Sequence, residues 1–145
     1  MPKSTDSCNK ILALMYNATT WANVAQNASA SPFTLTYLGL HTGNLTAATN
    51  SQAENEVAYT SYARKSQART TGGWNVPSGG ATQNAALEQF PQCGVTGATA
   101  THVSAGVGAS GATAVWHYGA LNSSLAIANG ITPQFAAGAL TITET

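Results

Sequence analysis

The first part of the chain has the apolar spacing of an amphipathic helix. Apolar side chains recur there at i, i+3, i+4 and i+7, at Cys8, Ile11, Leu12 and Met15. Ser4, Thr5 or Asp6 can supply the N-cap oxygen at the start of this helix. The pattern predicts residues 1–32 to be an N-terminal helix and a linker, with a second short turn near residues 21–25. The apolar stripe is expected to cover a sheet of the same chain or to dock on a neighbouring subunit.

From residue 33 onward the apolar period changes to two, which is typical of strands. Alternation is clearest in residues 113–121 (TAVWHYGAL) and 99–107 (TATHVSAGV). Gly- and Pro-containing segments between the alternating stretches indicate turns. The predicted strands are residues 33–41, 57–69, 74–76, 82–90, 99–107, 113–121, 125–129 and 134–144.

About eight short strands, with turn signals roughly every 8–12 residues, predict an all-β fold. A β-sandwich or jelly roll with an N-terminal helix fits this pattern, with a barrel as the alternative. A chain of 145 residues is long enough for one compact domain. We therefore expect residues 33–145 to form the β-sandwich domain.

Charged residues are scarce: five basic and five acidic side chains make up 7% of the chain, and the formal net charge is zero. Nucleic-acid binding needs a basic excess, so no nucleic-acid partner is expected. The chain also lacks a polybasic membrane anchor and a run of about 18 apolar residues, so no membrane partner is expected. Near-zero net charge promotes association, which favours an oligomer of the chain's own copies.

The few charges are unevenly distributed. Residues 54–69 hold five of them, whereas residues 70–145 hold only Glu88 and Glu144. The middle stretch is therefore the predicted place of polar contacts with a partner. The candidate interface residues are the three basic side chains of this stretch and two aromatic side chains of the clearest strand: Arg64, Lys65, Arg69, Trp116 and Tyr118. Trp116 and Tyr118 can anchor subunits together, or they can pack in the core.

No pattern in the sequence predicts a catalytic, cofactor-binding or metal site. Glu54 and Glu56 lie two residues apart beside a polar loop, which is typical of solvated side chains rather than of a glycosidase pair. Residues 106–111 (GVGASG) match G-x-G-x-x-G, but a predicted strand follows them instead of a helix, so they indicate a turn. The three histidines His41, His102 and His117 have no third ligand at metal-binding spacing. We expect the protein not to be an enzyme.

The two cysteines, Cys8 and Cys93, are far apart in the sequence. The N-terminus lacks the order of a signal peptide, so the chain is expected to be made in a cytoplasm. In a reducing compartment such cysteines are predicted to be free and buried, with a disulfide as the alternative.

Several segments resemble a family of small virion proteins of tailed phages. The resemblance lies in residues 38–42 (LGLHT), 56–64 (EVAYTSYAR), 74–76 (WNV), 101–103 (THV) and 129–144 (NGITPQFAAGALTITE). Together with the N-terminal helix these segments span most of the chain. Proteins of this kind are often tail-fibre-like, and some comparable small β proteins sit on the phage shell as trimeric cement knobs.

The resemblance implies a structural protein of the virion, made in the host cytoplasm. The expected function is head decoration, in which a homotrimer binds the major capsid protein or another virion protein and stabilises the shell. The alternative is a tail fibre or a tail-associated receptor-binding structural protein. A lytic or sugar-cleaving enzyme is the third hypothesis. The resemblance brings no catalytic residues with it.

Overall fold

The computed structural model of the chain describes residues 3–22, 24–25, 32–46 and 51–145. Within these residues one α-helix precedes a series of short strands. In chain order the elements are α1 (Thr5–Tyr16), β1 (Leu35–His41), β2 (Lys65–Ala68), β3 (Ala81–Gln83), β4 (Glu88–Gln89), β5 (Ala98–Gly106), β6 (Val115–Ile127), β7 (Gln134–Phe135) and β8 (Thr141–Thr143).

The predicted all-β class with an N-terminal helix is confirmed. The described strands form a four-stranded sheet in the order β2-β1-β5-β6 and two two-stranded sheets, β3-β8 and β4-β7. The pairs β1–β5, β5–β6 and β3–β8 are antiparallel. A sandwich or jelly-roll arrangement of these sheets stays a prediction.

The helix ends at Tyr16 and does not continue to the second turn predicted near residues 21–25. Its N-cap is Ser4, whose Oγ accepts a hydrogen bond from the Ser7 amide at 3.2 Å. It ends at Tyr16, and Ala18 then adopts a left-handed backbone with φ of 54°. The predicted second turn near residues 21–25 is a β-bridge between Trp21 and Ala25. Most of the predicted linker, residues 26–31, lies outside the described residues.

Several predicted strands differ from the observed ones. Residues 74–76 form only an isolated bridge, through Trp74, and the predicted strands 82–90 and 134–144 are each divided into two short strands. Within the predicted residues 57–69, only Lys65–Ala68 forms a strand. The predicted strands 113–121 and 125–129 are one strand, β6, because the polar residues between them form a bulge instead of a turn. The register with β5 shifts there, from the pair Ala100 and Leu125 to the pair His102 and Ala120.

The chain forms two compact units. The first comprises Met1–Leu35, Ala68–Glu88 and Phe135–Thr145, and the second comprises Thr36–Gln67 and Gln89–Gln134. The border passes through several strands. The predicted division into residues 1–32 and 33–145 stays a prediction.

In the first unit, α1 lies against β3 of the same chain. Its buried face consists of Cys8, Leu12 and Tyr16. The ring of Tyr16 meets the fully buried ring of Trp74 edge-on, with 4.7 Å between the centroids. The helix therefore covers a sheet of its own chain, one of the two roles that its apolar stripe predicts.

In the second unit, β1 is an inner strand of the four-stranded sheet. Leu38 and Leu40 are buried, and β1 pairs with β5 from Tyr37 opposite Gly106 to His41 opposite His102. β6 is the last strand on the far side of β5 and is mostly exposed. The sheet thus runs from a buried strand to an exposed edge.

The two cysteines are free and buried, as predicted. Cys8 lies on α1 in the first unit, and Cys93 lies in the second. Among the described residues, no helix has the length and apolar character needed to cross a bilayer.

Candidate functional site

The guanidinium of Arg64 is the centre of a hydrogen-bonded network in the second unit. Its Nε and Nη2 donate to the two carboxylate oxygens of Glu56 at 2.7 and 2.8 Å, which is the bidentate geometry of a strong ion pair. Nη1 donates to the Gly108 carbonyl at 3.0 Å and to Thr113 Oγ1 at 2.8 Å, and Nη2 donates to the Gly111 carbonyl at 2.8 Å. Only 1% of the Arg64 side chain is exposed.

These contacts fix the turn between β5 and β6. Gly108, Gly111 and Thr113 all lie in that turn, between the end of β5 at Gly106 and the start of β6 at Val115. Gly106 ends β5, and the rest of the G-x-G-x-x-G match, residues 107–111, lies in the predicted turn. Two carbonyls of this turn bind Arg64. The start of β6 is therefore tied to Arg64 through the turn that precedes it.

Tyr62 is a second side chain that donates a hydrogen bond to the Glu56 carboxylate. Its hydroxyl donates to Glu56 Oε1 at 2.8 Å and accepts the Leu40 amide at 3.1 Å. Burial raises the pKa of Tyr62, so the hydroxyl keeps the proton that it donates. Glu56 is thus held by an arginine and a tyrosine from the same segment.

A second group of buried polar side chains surrounds His41. Its Nδ1 lies 2.8 Å from the Glu54 carbonyl, and its Nε2 lies 2.8 Å from Ser104 Oγ. Because a carbonyl only accepts, Nδ1 carries the proton, and Nε2 accepts from the Ser104 hydroxyl. Gln52 Nε2 donates to Ser104 Oγ at 3.2 Å and to the Tyr37 carbonyl at 2.8 Å.

Gln52 joins the two groups, since its Oε1 accepts from Thr113 Oγ1 at 3.3 Å and lies 3.5 Å from Arg64 Nη1. We call the joined set the polar cluster: His41, Gln52, Glu56, Tyr62, Arg64 and Ser104. Two glycines of the sheet make room for it. A Cβ on Gly39 would lie 3.0 Å from Ser104 Oγ, and one on Gly106 would lie 2.4 Å from Gln52 Cδ.

Burial lowers the pKa of His41, against the opposing effect of its hydrogen bond to the Glu54 carbonyl. Glu56 also raises this pKa, whereas Arg64 and His102 lower it. Protonating Nε2 would turn it from an acceptor into a donor facing the hydroxyl that now donates to it. The fold therefore favours neutral His41.

This preference predicts that the protein loses stability in mild acid. The unfolded chain binds a proton at His41 below its ordinary pKa of 6.5, whereas the folded chain does not until a lower pH. The stability that the fold gains from keeping His41 neutral is therefore fully present above pH 6.5. It declines as the pH falls, by up to about 1.4 kcal/mol per pH unit. Urea unfolding at pH 7.0 and pH 5.5 measures this decline.

The matched variant is His41→Gln, whose neutral amide does not titrate. Its absolute stability differs from that of the wild type, but its loss between the two pH values is expected to be smaller by about 1 kcal/mol. An equal loss in both proteins would show that His41 does not carry the pH dependence.

The polar cluster includes a serine and a histidine at the distance of a nucleophile and its base. His41 is 0% exposed and Ser104 is 2% exposed. A substrate therefore cannot reach Ser104 Oγ. The other ring nitrogen of His41 binds a backbone carbonyl, where a catalytic triad would have a carboxylate. Among the described residues, no group of three or more His, Cys, Asp or Glu side chains is arranged to hold a metal ion.

Arg69, another predicted interface residue, lies in the first unit and caps α1. Its Nε donates to the Met15 carbonyl at 2.6 Å and its Nη2 to the Leu14 carbonyl at 2.7 Å, while Nη1 donates to the Phe33 carbonyl. The last turn of α1 has no basic residue of its own. Arg69 thus supplies both hydrogen bonds and positive charge to the helix C-terminus.

Lys65, the third basic candidate, begins β2 and is half-buried, with interactions of its own. The partner contacts predicted for Arg64, Lys65 and Arg69 stay predictions. The structure shows that the guanidinium groups of Arg64 and Arg69 already bind groups of their own unit.

The two aromatic candidates lie on β6. Trp116 is half-buried and interacts within the chain, whereas Tyr118 is 42% exposed. Beyond Tyr118, nearly every residue as far as Ala126 is exposed, with Leu121 and Leu125 half-buried. The predicted anchoring role of Trp116 and Tyr118 stays a prediction, and of the five candidates Tyr118 is the one most accessible to a partner.

No signal in the sequence predicts the roles of Gln52 and Ser104, which lie 52 residues apart. One local signal did exist for Tyr62 and Arg64. A period of two places both on one face, and both indeed bind Glu56, although their segment is not a strand.

The polar cluster is mostly buried, and β6 presents an exposed edge without charged side chains. The chain belongs to a family of phage virion structural proteins, which confirms the resemblance to tailed-phage proteins. The family is that of Podophage GP4 fiber I protein gp80, whose model matches residues 9–143. A comparison with curated proteins found no match.

Proposed function

We propose that the protein is a structural component of a phage tail fibre, assembled from several copies of the chain. The observation that carries the proposal is the match of residues 9–143 to a family described as a fibre protein. This description supports the tail-fibre alternative better than the head-decoration function that the sequence first favours. The coarser conclusion, a structural protein of the virion, holds for both.

The contacts of the charged residues support a structural function. Lys3 pairs with Glu144, and Lys10 lies 2.9 Å from Asp6. Arg64 pairs with Glu56, as described above. Glu54 accepts hydrogen bonds from the amide and the hydroxyl of Thr46 at 2.9 and 3.2 Å. The chain uses its charges to hold its own loops and ends, which leaves a mostly neutral surface for packing.

A neutral surface of short polar side chains suits repeated contacts. Desolvating an ion costs several kcal/mol, whereas Ser, Thr, Asn and Gln lose less when they find hydrogen-bond partners. A standard interface buries about 1,600 Å² in total. We propose three copies around one axis, so that each copy contacts two others and the trimer attaches to a further virion protein.

Labelling of intact particles tests the location. We expect antibodies against the protein, seen by electron microscopy with gold, to bind at the tail. Particles that lack the protein should lose fibre density and keep the heat stability of their heads. Label spread over the head, together with heads that burst on mild heating when the protein is missing, would contradict the proposal and favour head decoration.

A further inference from the structure

The two outer strands of the four-stranded sheet differ in how well they are protected from pairing. β2 has four residues and begins with Lys65. Short length and a lysine are both common ways to prevent association at a sheet edge. β6, at the opposite edge, has 13 residues with no charged side chain and no proline. Within the described part of the chain, the sheet is therefore protected at one edge and open at the other.

The open edge is most accessible around Gly119. The register with β5 is regular from His117 to Ala120, so this stretch is an ordinary strand. Tyr118, Gly119 and Ala120 are exposed, and the space where a Cβ of Gly119 would lie is empty to 4 Å. Small side chains allow another backbone to approach closely, and Tyr118 beside them offers a large side chain to bury.

The bulge limits how far this edge can extend by strand pairing. It follows Ala120 and carries the exposed Asn122, Ser123 and Ser124. Bulges bend an edge strand and interrupt its ladder. The regular stretch is therefore the part of the edge that the backbones of neighbouring copies can approach closely, while the amide and hydroxyl groups of the bulge supply side-chain hydrogen bonds.

The charge of this region indicates which partner fits. Residues 89–134, which include β5 and β6, contain no Lys, Arg, Asp or Glu. A charged partner would find no opposite charge here. A second copy of the same neutral surface meets no like-charge repulsion, which identical charged edges would produce.

The edge is also held in place. Arg64 binds two carbonyls and a hydroxyl in the turn that leads into β6, and Arg64 is itself paired with Glu56. An edge that is already ordered loses less conformational freedom when it binds.

We propose that the outer edge of β6, at residues 117–126, is the surface on which a second copy of this chain docks. The inference rests on the proposed assembly of several copies and names the part of the fold that carries it. The buried centre of the contact is the stretch from Tyr118 to Ala120, and the bulge lies at its polar rim.

The test adds charge to the edge and measures association. Gly119→Lys with Ala120→Lys puts one ammonium group on each face of the strand. We expect sedimentation equilibrium of the full chain to show a dissociation constant for self-association at least tenfold higher than that of the wild type, with partial recovery in high salt. The matched control is Val76→Lys with Val95→Lys, which adds the same charge at positions that are 70% and 84% exposed. This control is expected to associate like the wild type.

Thiol cross-linking provides a second measurement that does not depend on weakened binding. The native cysteines are buried, so Ala120→Cys introduces an accessible thiol. A short bis-maleimide is expected to link Ala120→Cys chains to each other and to leave Val95→Cys chains unlinked. In a trimer with one cysteine per chain, one crosslink joins two chains and leaves the third free, so about two thirds of the chains should form dimers.

Three outcomes would overturn the inference. The first is equal association of the lysine variant and the wild type, the second is a wild-type chain that stays monomeric at high concentration, and the third is a crosslink at residue 120 to a different virion protein. Equal association leaves the tail-fibre proposal intact, since the copies would then meet elsewhere. Failure of the tail-fibre proposal would show instead as label on the head, whatever β6 does.

Discussion

Replacing Arg64 with Ala is expected to lower the free energy of unfolding by about 3 kcal/mol. The substitution leaves the Glu56 carboxylate without its bidentate partner and removes the donors to the Gly108 and Gly111 carbonyls. Breaking a buried ion pair by removing one partner is among the most destabilising single changes, because the other charge remains uncompensated. Urea unfolding at pH 7 measures the loss, and faster amide hydrogen exchange in residues 108–113 should accompany it.

Lys10→Ala is the matched control for Arg64→Ala. It also removes one positive charge from an ion pair, but the partners Lys10 and Asp6 are 47% and 73% exposed. Such pairs contribute about 1 kcal/mol or less. If Arg64→Ala were no more destabilising than Lys10→Ala, the polar cluster would not hold the second unit together as described.

Replacing Arg69 with Met is expected to lower the free energy of unfolding by about 2–3 kcal/mol. Methionine keeps most of the apolar stem but leaves the Leu14, Met15 and Phe33 carbonyls without their charged donor. The positive charge at the C-terminus of α1 is lost as well. Urea unfolding gives the loss, and hydrogen exchange should show fraying at the last turn of α1.

Arg69→Lys separates the charge of Arg69 from its geometry. Lysine keeps the positive charge, but its single ammonium cannot reproduce the planar fork that reaches three carbonyls. We expect a stability between those of the wild type and Arg69→Met. If Arg69→Met unfolds at the same urea concentration as the wild type, Arg69 does not cap the helix.

Hydrophobic periodicity predicted much of the secondary structure. The stripe from Cys8 to Met15 identified α1, and alternation identified β1, β5 and most of β6. Periodicity wrongly predicted a strand at residues 57–64, where a side chain binds part of the backbone of β1. The Leu40 amide donates to the hydroxyl of Tyr62 rather than to a strand carbonyl. A pattern of apolar and polar residues does not show where a side-chain hydroxyl replaces a strand carbonyl as the acceptor of a backbone amide.

The roles of the two arginines could not be predicted for a similar reason. A basic residue in a polar stretch is usually solvated, and burial needs partners that the local sequence does not show. The Glu56 partner of Arg64 is eight residues away, and the Leu14 partner of Arg69 is 55 residues away. Only the fold brings these groups together. The same holds for the aromatic pair: Trp116 and Tyr118 share one predicted face of β6, yet Trp116 is half-buried and Tyr118 is exposed.

We propose that this chain is a structural part of the tail, built into a fibre from its own copies. The most direct measurement is the number of copies per virion, obtained by densitometry of purified particles against the major capsid protein. We expect a few to a few dozen copies. Hundreds of copies per particle would contradict it and would point to a protein that covers the head or the tail tube.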